Sequence, residues 1–152
     1  MAMDYKVPMR ELHVQVALAD SEPADYVVFL SPFSEHHVGF ETFDDYLNAS
    51  RSFFPMVTGG QSKIINRDTI LWVRTDTLPE DAEETDALLR KRTLFELVDH
   101  STFEGLVVID RPIEQSRISD LLNDPKQHFI RVDADAGAYF INKRFIRAAI
   151  PR

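Results

Sequence analysis

The 152-residue chain contains no cysteine. Disulfides, a thiolate nucleophile and Cys-ligated metal are therefore excluded. A reducing, cytoplasmic setting fits. Tryptophan occurs once and glycine five times. Neither G-x-x-x-x-G-K-[ST] nor G-x-G-x-x-G is present, and no serine sits in a G-x-S-x-G elbow. The start "MAMDYKVPMRELHV" has no long apolar run, so neither signal peptide nor membrane helix is expected. Positive charge is short too. The net charge is −8, with −4 over residues 1–74, −3 over 75–92 and −1 over 93–152. Nucleic-acid binding draws most non-specific affinity from Lys and Arg on phosphates, so this balance argues against it. One local basic patch is Lys143, Arg144 and Arg147.

What is present suits a packed β-rich core. Hydrophobic residues make up 44 % and charged residues 28 %, with 11 Phe. The length suits one ordinary domain or two very small ones.

Repetition organises the chain. Asp45, Leu47, Asn48, Phe54 and Val57 recur 75 residues on as Asp120, Leu122, Asn123, Phe129 and Val132. Ile65, Asn66 and Ile70 recur 76 residues on as Ile141, Asn142 and Ile146, which places one added residue in the loop between the two sets. Upstream, Val16–Asp20 and Asp25–Leu30 match Phe95–Asp99 and Glu104–Ile109 at a shift of 79. Eight identities in order point to a tandem duplication of two copies.

Each copy reads alike. An alternating strand ("HVQVALAD", "TLFELVD") precedes a nearly continuous apolar strand ("YVVFL", "LVVI") suited to burial on both faces. A variable loop follows, "SPFSEHHVGFET" or "DRPIEQSR". A helical turn comes next, with Asp44 or Ser119 as N-cap and Asn48 or Asn123 as stop. A third strand and a hairpin complete the copy. Asn66 and Asn142 mark the hairpin turn, where Asn accepts positive φ. Gly59-Gly60 in "TGGQSK" is read as a hairpin loop rather than a phosphate cradle. Between the copies, "TDTLPEDAEETDALLRKR" puts acids first and Arg90, Lys91 and Arg92 last, as a helix dipole favours.

The expected fold class is mainly β (α+β): two tandem small β-barrel or β-sheet units of about five strands, each with one short helical turn. The units span residues 10–74 and 93–152, joined by an acidic helical linker at 75–92. Such a unit is marginal alone, so the copies either close separately or share a core.

The segments "IINRDTILWV" and "FINKRFIRAAI" resemble the second half of the Sm-like fold, with Ile65-Asn66-Arg67 and Ile141-Asn142-Lys143 at the isoleucine–arginine–glycine motif. Arg67 and Lys143 stand where that family has glycine. The resemblance implies a small β-barrel and, if RNA binding carries over, contacts at Asn66, Arg67, Asn142 and Lys143. The phrase "DLLN…F…V…IN" also resembles a family of uncharacterised bacterial proteins, which implies no function.

No catalytic set converges in the sequence. Asp45 and Asp120 read as first-turn helix acids. The loop Glu35–Asp45 offers His36, His37, Glu41 and Asp44, and a metal-dependent enzyme is one alternative. The main expectation is a non-catalytic binding or adaptor module without cofactor. It would meet a protein partner through strand edges or the aromatic loop of Phe33, His36, His37 and Phe40. A homo-oligomer, such as a symmetric dimer, would cover open edges. An Sm-like nucleic-acid binder is the other alternative.

Overall fold

A computed structural model describes residues 9–34, 39–76, 78 and 88–152. The first half holds β1 (Arg10–Leu18), β2 (Ala24–Leu30), α1 (Phe43–Leu47), β3 (Phe53–Thr58), β4 (Gln61–Asn66) and β5 (Ile70–Thr75). The second holds β6 (Leu89–Leu97), β7 (Thr102–Ile109), α2 (Ile118–Leu122), β8 (Phe129–Ala134), β9 (Gly137–Asn142) and β10 (Ile146–Pro151). No helix among the described residues is long and apolar enough to cross a membrane.

Alternation sets the inner face. Leu12, Val14 and Val16 of β1 and Tyr26, Val28 and Leu30 of β2 are buried. Phe29 of β2 is 36 % exposed, so this apolar run is buried on one face rather than two. Gly59 and Gly60, at φ +56° and +74°, form the two-residue turn between β3 and β4. Both central residues need positive φ there.

Several local details differ from the sequence reading. The cap of α1 is Thr42, whose Oγ1 accepts from the Asp45 amide at 3.1 Å, while Asp45 Oδ2 accepts from the Thr42 amide. This reciprocal pair outcompetes a cap at Asp44. At α2 the cap position is Arg117, not Ser119, and Asp120 accepts from its amide and guanidinium. Asn48 and Asn123 do end the helices, at φ −98° and −90° rather than left-handed. Asn66 and Asn142 are extended, at φ −67° and −68°. Each accepts through Oδ1 from the amide two residues on, capping the 3-10 turns Arg67–Thr69 and Lys143–Phe145. The side chain, not positive φ, makes the turn.

Among the described residues ten strands form one antiparallel sheet in the order β10-β6-β7-β8-β9-β5-β1-β2-β3-β4. Each half runs fifth, first, second, third, fourth, and β5 pairs with β9 where they meet. Two separate barrels on a helical linker are therefore not what the strands build. Thr75 lies in β5, and Leu89–Arg92 pair with Leu106–Ile109 in the β6–β7 ladder. Residue 77 and residues 79–87 of the expected linker lie outside the described residues. Tertiary pairing overrides the helical pattern at Leu89.

Strand partners also fix the equivalence of the halves. Phe53 faces Asn66 and Phe129 faces Asn142, so Phe53 matches Phe129 and Phe54 matches Ile130. The shift is 79 for β1 and β2, 75 for the helices, and 76 for β3, β4 and β5. Matching Phe54 to Phe129 was one residue out. The added residue lies between helix and strand.

The core has two clusters, and each half lends to the other. Phe129, Ala138 and Phe140 sit among first-half residues, while Leu71 and Trp72 pack with the second-half cluster.

Candidate interaction surfaces

The joint between halves is built in detail. Val73 pairs with Phe140 and Thr75 with Ala138. Phe140 packs edge-on against Phe43 at 5.0 Å between centroids, and Phe129 against Phe54 at 6.4 Å. Asn142, 4 % exposed, donates through Nδ2 to the Arg67 and Ile70 carbonyls at 3.1 and 3.0 Å. From the other side, Asn48 Oδ1 accepts from the His128 and Phe129 amides at 2.6 and 2.9 Å. Arg144 and Asp68 approach to 3.7 Å above the joint.

The sheet ends on β4 and β10. These are the counterparts of β9 and β5, yet their exposure is opposite. Phe140 and Phe129 are fully buried, whereas their matches Ile64 and Phe53 are 72 % and 53 % exposed. Beside β10 lies a groove of about 770 Å³. Ile118, Leu122 and Ala149 line it, with Arg117, Lys143 and Arg147 around them.

A second surface surrounds the loop after β2. Phe33 and Phe40 are exposed, and the Arg10 guanidinium lies 4.5 Å from the Phe40 ring centre. Glu41 ties the loop back by accepting from the Ser31 amide at 3.0 Å. A groove of about 510 Å³ runs from Phe33 past Tyr46 and Met56. Burial pushes the Tyr46 hydroxyl up to about 12, against the nearby Arg51 cation. Its hydroxyl donates to the Pro55 carbonyl at 2.8 Å. His36 and His37 lie outside the described residues.

The four residues read from the Sm-like resemblance fall at the two equivalent turns, each with partners of its own. Arg67 donates to the Arg51 carbonyl. Lys143 donates to the Leu122 and Asp124 carbonyls at 3.2 and 2.7 Å, which closes α2, and burial lowers its pKa. Asn142 is committed to the joint. Asn66 keeps its cap, while its Nδ2 has no hydrogen-bond partner among the described residues. Among the described residues no three His, Asp or Glu side chains converge to hold a metal.

No family model, curated protein or solved structure matches the chain.

The sequence reading did not single out Ile64 and Ala149 on the edge strands, nor Phe53 of β3 and Ile118 of α2 beside them. A signal existed. Ile64-Ile65 and Phe140-Ile141 each put apolar side chains on both faces of a short strand, the mark of two-sided burial.

Proposed function

We propose that the chain is a non-catalytic binding or adaptor module, a tandem duplicate of one five-stranded unit, that takes protein partners by strand addition at its sheet edges. One observation carries this reading. Both edge strands end the sheet, and exposed Ile64 and Phe53 stand where the matched residues of the inner joint are fully buried. An edge with unpaired backbone groups and apolar side chains is a template for another strand. Pull-down from native lysate with the full chain, alongside light scattering, tests it. A captured protein or assembly that disappears with Ile64→Lys is the expected result. No capture and no assembly refutes it.

A second reading is an Sm-like nucleic-acid binder. The observation favouring it is the groove beside β10, where Lys91, Arg117, Lys143, Arg144 and Arg147 gather on a chain otherwise acidic. Fluorescence polarisation with short single-stranded RNA at low salt decides it. Failure to bind at about 50 μM protein, inside the usual non-specific range, refutes it.

A further inference from the structure

We infer that β4 of one copy docks on β10 of a second copy, repeating between chains the joint that β9 and β5 make within one. This rests on the strand-addition reading and names its partner.

The argument is one of equivalence. The joint needs a donor side and a receiving side. The donor side is the fourth strand of a unit, with Phe140, Phe129 and Asn142. The same positions on the β4 edge are Ile64, Phe53 and Asn66. The receiving side is the fifth strand with its helix: Val73, Phe43, Asn48 and the Arg67 and Ile70 carbonyls. The same positions on the β10 edge are Ala149, Ile118, Asn123 and the Lys143 and Ile146 carbonyls. Both half-sites are present, one at each end of the sheet.

Their present state is that of an unmade joint. β9 is buried along most of its length, whereas Gln61, Ser62, Lys63 and Ile64 of β4 are all exposed. The groove beside β10 lies where Phe140 lies at the inner joint, over Ile118 instead of Phe43. Asn142 spends its Nδ2 on two carbonyls across the joint. Asn66 spends none, and the Asn123 side chain likewise has no hydrogen-bond partner among the described residues. Carried over in the observed register, Ala149 faces Ile64, and Ala148 faces Ile65. Ile64 seats on Ile118, and Asn66 Nδ2 reaches the Lys143 and Ile146 carbonyls. Asn123 Oδ1 receives the Ser52 and Phe53 amides. Arg144 meets Asp68 of the next chain as it does within its own. Pro151 has no amide to give, which ends the ladder.

Because the two edges differ, the contact is head-to-tail. Copies continue until a ring closes or a filament grows.

Light scattering on the full chain tests this. Wild-type protein is expected to exceed the 17.5 kDa of one chain. Ile64→Lys blocks the donor edge and Ala149→Lys the receiving edge. Each variant alone should be a monomer with unchanged far-UV circular dichroism. Their equimolar mixture should give a two-copy particle, since one intact edge of each kind remains. Asn66→Asp keeps the cap acceptor but loses the donor, and should weaken assembly by about tenfold or more. A wild-type monomer at about 100 μM, well above a micromolar Kd, overturns the inference. So does assembly that survives Ala149→Lys, which would indicate β4 pairing with β4. A monomer that still captures a lysate protein through Ile64 sinks self-docking and leaves strand addition standing.

Discussion

Replacing Asn142 with alanine should cost far more than the same change at Asn66, although both occupy the same turn position. Asn142 makes three hydrogen bonds: Oδ1 from the Arg144 amide, and Nδ2 to the Arg67 and Ile70 carbonyls. Among the described residues Asn66 makes only the cap, from the Asp68 amide at 3.0 Å. A cap of this kind is worth about 1 kcal/mol. Leaving each joint carbonyl without its partner adds about 1 kcal/mol. The expected costs are therefore about 3 kcal/mol for Asn142→Ala and about 1 kcal/mol for Asn66→Ala. Both should be measured in the Ile64→Lys background, so that contacts between chains play no part. With an m-value of about 2 kcal/mol/M in urea, the two midpoints should differ by about 1 M. Coincident midpoints would refute the reasoning, because the bonds across the joint would then carry no net stability.

In the same background, Phe140→Ala should cost about 3–5 kcal/mol by thermal or urea denaturation, and Phe53→Ala within about 0.5 kcal/mol. Gly137 sits at φ +129°, and a Cβ there would lie 2.5 Å from the Thr75 carbonyl oxygen. Gly137→Ala should lower stability by about 2 kcal/mol or more, while Gly59→Asn, at a turn position Asn accepts, should be near neutral. Burial, helped by the Arg67 and Lys143 cations, holds the His128 pKa below its ordinary 6.5. The neutral ring is favoured in the fold, so this stability is present above pH 6.5 and lost as pH falls through the depressed value. His128→Gln should flatten the fall in urea midpoint between about pH 7 and 5.

Much of the strand content was legible because its cause is local. Leu12, Val14 and Val16 alternate, and the two glycines at 59 and 60 specify their turn. The helix starts were misplaced by two residues because Thr42 and Arg117 win through reciprocal bonds with Asp45 and Asp120, which a list of capping residues does not weigh. Identity between Phe54 and Phe129 also misled. The β3–β4 and β8–β9 ladders, not the letter, decide that Phe53 matches Phe129. Leu89–Arg92 read as the end of a helix because strong helix formers surround them, yet β7 claims them. Of the candidate residues, Phe33 and Phe40 are exposed, while Asn142 is consumed by the joint. Nothing local could announce that β5 and β9 would meet, since that pairing joins segments more than sixty residues apart.

The β5–β9 joint lies within a single polypeptide, and this changes how dilution acts on it. An intramolecular contact of this kind works at an effective concentration in the millimolar range, set by the connecting chain. It holds at any protein concentration in the cell, whereas a contact between separate chains responds to supply. The two halves therefore need not be alike to stay together. Only the first carries the longer loop with Phe33 and Phe40. A unit repeated as a symmetric oligomer would have to display that loop on every copy. Covalent linkage lets one half display it while the other goes without.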